Sequence, residues 1–305
     1  MDDALLAHSL VVVTGKGGVG KSTVAGALGL AAARRGLRTI VVEVAARDDV
    51  SRALGRSDAA HAHAERTLRD GVDHMSIEPQ RAMEEYLRRQ LPVGVLAALL
   101  SRSRVFTALA AATPGMRELL TIGKVWELAR GEERDGAGRP YDLVVLDAPA
   151  TGHGLAMLQA PSTFASVARV GPVARQAREI VSFIGDARRT AVLAVSSAEE
   201  MPVTETLELR AQLRQQVGLD VSLIVVNAVV AHRFSEREER TLRAAPPSQA
   251  RHAALFASTW ASQQRMQIAR LRREARDVAL LTLPFLFESA LDRVALERLS
   301  GVLDP

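Results

Sequence analysis

The chain has 305 residues, 48% hydrophobic and 24% charged, which supports a sizeable core and excludes bulk disorder or a fibrous repeat. It contains no cysteine, so disulfides, thiol catalysis and every cysteine-ligated zinc or iron–sulfur centre are excluded. The formal net charge is +4, but residues 232–276 alone carry ten Arg against four Glu. No apolar run approaches the ~18 residues of a membrane span. Residues 93–112 come nearest, and Arg102 and Arg104 interrupt them. The acidic start, Met1-Asp2-Asp3, argues against a secretory leader, and a cytoplasmic protein is expected.

In chain order, a β-branched run at residues 10–14 ends at Gly15 and reads as a buried strand. Residues 21–35 read as a helix, apolar through Val24, Leu28 and Ala31, with Arg34 and Arg35 in its last turn and Gly36 beyond. Residues 39–44 read as a second strand, and further strands recur at 72–77, 143–146, 190–195, 221–226 and 279–283. This alternation predicts an α/β fold, a doubly wound and mostly parallel sheet with helices on both faces. Two helical regions, roughly 80–130 and 154–188, exceed simple crossovers and are expected to form an inserted helical layer. The whole of 1–305 reads as a single domain. Residues 131–139 and the Pro246-Pro247-Ser248-Gln249 patch read as disordered.

Gly15-Lys16-Gly17-Gly18-Val19-Gly20-Lys21-Ser22, followed by Thr23, matches the phosphate-binding loop pattern. Glycines let the backbone fold into a nest of N–H groups, and the following helix turns its positive end toward the phosphates. Lys21 would neutralise the β- and γ-phosphates of ATP, and Ser22 would hold Mg²⁺. The chain has only three lysines against 36 arginines, and two of the three stand in this loop. A compact ammonium suits a tight cradle better than a guanidinium fork. Farther on, a buried strand ends in Asp147, where a carboxylate orients Mg²⁺ through water.

Lys16 directly after the first glycine resembles the deviant Walker A ATPases. In that group the extra lysine reaches the partner's nucleotide, so the resemblance implies a dimer. The Ala148-Pro149-Ala150-Thr151-Gly152-His153 segment resembles switch II of the arsenite-pump and guided-entry (tail-anchored protein targeting) ATPase family, with Thr151, Gly152 and His153 at its centre. Pro114-Gly115-Met116 and Met201-Pro202-Val203-Thr204-Glu205-Thr206 resemble two of that family's helix starts. Asn227 stands where the family keeps an adenine-reading asparagine, and Leu283-Pro284-Phe285-Leu286 resembles its late adenine loop. The resemblance implies a bacterial-type, Mg²⁺-dependent ATPase with Lys16, Lys21 and Asp147 as catalytic residues. Its expected partners are a second copy or a paralogous ATPase, together with a hydrophobic client or membrane protein.

Two departures stand out. Without cysteines, neither the family's zinc clamp nor its metalloid site can exist here. Its switch I aspartate aligns with Ala45, which cannot polarise water, so Glu43, Asp48 or Asp49 substitutes, or turnover is slow, or the partner supplies the chemistry. A weakly hydrolysing subunit of a heterodimer is therefore an alternative. A partition-type positioning ATPase ranks below it, since residues 289–305 lack a basic tail.

Other features have plainer readings. His61 and His63, two apart, read as a solvated surface and not a metal pair. Residues 260–278 read as a packed amphipathic helix with a basic edge, so no nucleic acid is expected. His153 is open between a nucleotide sensor and a loop histidine. For the apolar stretches 91–112 and 155–184, with Phe106, Phe164 and Phe183, a client groove and ordinary helix core both stand.

Overall fold

The computed structural model describes residues 3–45, 47–55, 63–68, 71–90, 115–131, 140–167, 171–288 and 290–304. A short helix α1 (Asp3–Leu6) precedes β1 (Leu10–Gly15), α2 (Lys21–Arg34), β2 (Thr39–Val44) and α3 (Asp49–Ala53). Next come β3 (Arg66–Thr67), β4 (Val72–Ile77), α4 (Pro79–Gln90), α5 (Met116–Ala129) and β5 (Leu143–Asp147). They are followed by α6 (Thr151–Val167), α7 (Pro172–Ile184), β6 (Thr190–Ser197), α8 (Glu200–Gln216) and β7 (Val221–Val229). The remaining elements are α9 (Glu236–Ala244), α10 (Gln249–Glu274), β8 (Ala279–Pro284) and α11 (Arg293–Leu303).

The described strands form one eight-stranded sheet in the order β3-β4-β2-β5-β1-β6-β7-β8. All pairings are parallel except that of β3 with β4. Side chains alternate along each strand, so each feeds two cores. Leu10 and Val12 pack on one face with Ile122, Leu158, Ile180, Leu209 and Leu271 of α5, α6, α7, α8 and α10. Val11 and Val13 pack on the other with Leu28 of α2 and Leu296 and Leu299 of α11. A sheet covered on both faces explains why its strands are continuous apolar runs. The expected doubly wound α/β architecture is present.

Order reverses around β1, which lies between β5 and β6. In open parallel sheets, ligands bind in the crevice outside the carboxyl ends of the strands at such a point. The ends of β1, β2, β5, β6 and β7 accordingly converge on one rim.

Several local expectations change. Residues 246–249 are an ordered helix junction: Ser248 Oγ accepts the Arg251 N–H at 3.1 Å and caps α10. His63 is buried and not solvated; its Nδ1 accepts the Glu78 N–H at 3.0 Å. Phe183 lies in the core, which settles its reading as helix packing. His61, Phe106, most of 91–112 and residues 132–139 lie outside the described residues.

Candidate nucleotide site

β1 runs through Thr14 into Gly15, and the loop that follows closes onto the first turn of α2. At Gly15, with φ of 147°, a Cβ would stand 2.1 Å from the Val195 carbonyl oxygen on β6. At Gly20, with φ of 90°, it would stand 2.2 Å from Asn227 Nδ2. These two positions therefore require glycine both for conformation and for space. A Cβ on Gly17 or Gly18 would meet nothing within 4 Å, so the space beside them is open.

Lys21 is buried and donates to the Lys16 carbonyl oxygen at 2.9 Å, folding its ammonium back over the loop. Burial depresses its pKa; Asp147 opposes that depression, and Arg47 adds to it. Ser22 Oγ donates to Asp147 Oδ2 at 2.6 Å, joining the start of α2 to the end of β5. Asp147 is almost fully buried, and burial pushes its carboxyl up to about 6 against the pull of Ser22, Arg47 and Lys21.

Three buried oxygens around this rim, Thr14 Oγ1, Asp147 Oδ1 and Thr151 Oγ1, have no hydrogen-bond partner among the described residues. Buried acceptors are rarely left this way unless something else completes them. A serine hydroxyl beside a carboxylate with a spare oxygen is a hard donor set, and it fits Mg²⁺. Among the described residues no group of three or more His, Asp or Glu could hold a metal ion. A cation here would thus complete its shell from phosphate and water.

The other expected residues are distributed around the same rim. Thr151, Gly152 and His153 form the first turn of α6, so His153 is an exposed helical residue and not a loop histidine. Lys16 Nζ pairs with Glu205 of α8 at 2.5 Å, both about 30% exposed. Asn227 is buried and spends its Nδ2 on the Val19 carbonyl oxygen at 3.0 Å, bracing the loop from below. Pro284 ends β8 at the exposed side of the rim. Val19 is buried, and Thr23 lies half-buried in the first turn of α2.

Some participants have no sequence motif. Arg47 Nη2 donates to Ser22 Oγ at 3.0 Å and lies 3.9 Å from Asp147 Oδ2. Gln264 of α10 clamps an irregular stretch of β7, where Ala228 has φ of 57°. Its Nε2 donates to the Ala228 carbonyl at 3.0 Å, and its Oε1 accepts the Val230 N–H at 2.7 Å. Glu43 is fully buried and accepts the Asp49 and Val50 N–H groups at 3.0 and 3.2 Å. Its Oε2 also lies 2.7 Å from His74 Nε2. Both carboxylate oxygens of Glu43 are thus engaged at the start of α3. Asp48 is paired with Arg52 and Asp49 with Arg47.

The family model described as anion-transporting ATPase matches residues 8–171 and 165–283. The chain belongs to the anion-transporting ATPase family. Among its relatives is ATPase BagA of Mycobacterium tuberculosis, 32% identical over 223 residues, which are 72% of this chain and 64% of that protein. The arsenical pump-driving ATPase of Escherichia coli is 24% identical over 312 residues, covering 95% of this chain and 48% of the pump protein. ATPase GET3 of Kluyveromyces lactis is 28% identical over 181 residues, 54% of this chain and 51% of GET3. The chain thus spans less than two thirds of each of these relatives. The family accounts for the fold described above. Among the described residues, no helix is long and apolar enough to cross a membrane.

Proposed function

We propose that this chain is a cytoplasmic, Mg²⁺-dependent ATP-binding and ATP-hydrolysing switch that works as a dimer and forms one domain. The observation that carries the reading is the rim itself: an open glycine nest, buried Lys21, and a Ser22–Asp147 pair with a spare acceptor. The nest and Lys21 bind and orient the triphosphate in a site whose low dielectric strengthens each contact. Ser22 and Asp147 would hold Mg²⁺, which would supply charge neutralisation for the triphosphate. Asn227 braces the loop, and Pro284 borders the base side. Thr151 begins α6, so a change at switch II is delivered straight into the helical layer. There α6 and α7 leave Val167, Val173 and Val181 exposed, which supports an apolar client or membrane-protein partner.

A second reading has its own observation. Glu43, Asp48 and Asp49 are all engaged elsewhere, and Ala45 carries no acid. That favours a weakly hydrolysing subunit whose water-activating group comes from a paralogue. Turnover of the isolated chain separates the two.

The dimer is tested by sedimentation with a non-hydrolysable ATP analogue, comparing wild type with Lys16→Ala and Lys16→Arg. The expected result is an analogue-dependent dimer in the wild type that Lys16→Ala loses while its nucleotide binding survives. Lys16→Arg falls between, because a planar fork replaces an ammonium poorly in a tight nest. A wild-type chain that stays monomeric in every nucleotide state, alone or with a paralogue, defeats the dimeric reading.

A further inference from the structure

The turn from β2 to α3 brings an arginine back over the phosphate loop. Ala45 has φ of 64°, a left-handed conformation unfavourable for a residue with a Cβ, and its N–H is tied to the Ile77 carbonyl at 3.0 Å. Past this kink, buried Glu43 anchors the start of α3 through the Asp49 and Val50 N–H groups. Between those two fixed points, Arg47 projects onto the Ser22 and Asp147 oxygens at 3.0 and 3.9 Å. Its Nε and Nη2 also donate to Asp49 Oδ2 at 3.1 and 2.8 Å.

We infer that Arg47 is an exchangeable cation of this site, standing on the Ser22–Asp147 pair without metal and moving to the phosphate chain when Mg²⁺ and nucleotide bind. The inference rests on the nucleotide reading above and goes beyond it. Asp147 is buried, and a buried carboxylate requires a positive neighbour. Lys21 is turned toward the Lys16 carbonyl, which leaves Arg47 as the guanidinium on the Ser22 side. A divalent ion on the same oxygens would repel that guanidinium at such a distance. Arg47 and Asp49 side chains are about 40% exposed, so the pair has room to swing as a unit. The nearest anion to receive the fork is then the nucleotide, whose phosphate oxygens match its bidentate geometry. This places charge stabilisation, and not water activation, at the segment where Ala45 stands.

The test uses the full chain, its Arg47→Ala and Arg47→Lys variants, and two probes. Mn²⁺ alone is titrated into nucleotide-free protein and followed by electron paramagnetic resonance. A fluorescent ATP analogue is titrated in EDTA and again in Mg²⁺. Arg47→Ala is expected to bind Mn²⁺ on the order of tenfold tighter than wild type, because its competitor is gone. Its ATP affinity is expected to fall on the order of tenfold in Mg²⁺, where the fork would stand on the phosphates, and by clearly less in EDTA, where it stays on the Ser22–Asp147 pair. Arg47→Lys keeps the charge and is expected to exclude Mn²⁺ as wild type does, while losing ATP affinity in Mg²⁺ with the fork. Equal Mn²⁺ binding by wild type and Arg47→Ala overturns the inference, and so does an equal loss of ATP affinity in both media. A wild-type chain that binds no ATP analogue in Mg²⁺ defeats the proposed function instead, and the Mn²⁺ comparison then decides the role of Arg47 by itself.

Discussion

The two rims of the sheet carry ionic clusters of opposite character. At the amino rim, Arg210 of α8 donates to Asp220, just before β7, at 2.8 and 2.9 Å. It also donates to Asp277, just before β8, at 2.8 and 2.5 Å, and Arg214 joins both carboxylates. Burial opposes it, but the Arg210 and Arg214 hydrogen bonds hold Asp220 down at about 2. At the carboxyl rim, burial pushes Asp147 up to about 6, and one of its oxygens has no partner among the described residues. The amino-rim cluster is complete within the fold and acts as a fastening between α8 and two strand starts. The carboxyl-rim cluster leaves one Asp147 oxygen without a partner among the described residues, which is the observation the proposed nucleotide site rests on. The two carboxylates are shifted in opposite directions, Asp147 up by burial and Asp220, against burial, down by its arginine hydrogen bonds.

The largest test of that contrast is Lys21→Ala. Removing the buried ammonium should lower ATP affinity by on the order of a hundredfold or more, since a charge-assisted phosphate contact is lost from a desolvated site. Its melting temperature should change little, because the lost Lys16 carbonyl hydrogen bond and Asp147 attraction are offset by removing a cation that burial disfavours. Calorimetric titration and thermal melting together check this; undiminished affinity would place the nucleotide elsewhere.

Arg210→Ala is the counterpart at the other rim. It should destabilise the protein by roughly 1–2 kcal/mol, modest because the two aspartates are well exposed, and leave ATP affinity unchanged. Acid should expose the same fastening. The Asp220 pKa is depressed from 3.8 to about 2, so its contribution is present above about pH 4 and is lost as pH falls toward 2. Urea unfolding across that window, with Asp220→Asn flattening the slope, measures it.

Much of this organisation is legible in the sequence because it depends on local pattern. The buried strands are continuous β-branched runs, and the glycine loop must follow a strand and open a helix to be chemically meaningful. Asp147 is legible for the same reason, as the acid ending such a run. β3 is not, since Arg66 and Thr67 are too short to show a period. Arg47 is hidden for a different reason: its placement depends on a kink at Ala45 and on Glu43, whose partner His74 lies on another strand. One signal was available. An acid inside the apolar run of β2 has to be satisfied by something, and here that is the start of α3 together with His74. Gln264 gives a similar lesson, since its targets lie on β7, far from α10 in sequence.

Asp147→Asn sharpens the comparison through stability. At the amino rim, removing a charge should weaken the fold. At the carboxyl rim it should strengthen the ligand-free fold by about 1 kcal/mol, because a buried carboxylate with an unpaired oxygen is neutralised. The same variant should lose the Mg²⁺ dependence of ATP binding. Lower stability in ligand-free Asp147→Asn would mean that this rim is satisfied after all, and the contrast would fail.

The smallest expected effect concerns Lys16, a rim cation engaged by a partner it would have to leave. Its pair with Glu205 is short at 2.5 Å, but both side chains are about 30% exposed, so the bond is worth ~0.2–1 kcal/mol. In a dimer whose Lys16 reaches the other subunit's phosphates, that energy opposes closure. Glu205→Gln keeps the side-chain shape and removes the charge that holds Lys16. It should therefore strengthen analogue-induced dimerisation by about two- to fivefold at low salt, and by less at high salt, where the pair is already screened. The fold should be unaffected, since Glu205 is not part of the core. Sedimentation at two ionic strengths reads the effect directly. A Glu205→Gln chain that dimerises less well than wild type would show that Glu205 positions Lys16 for closure instead of restraining it.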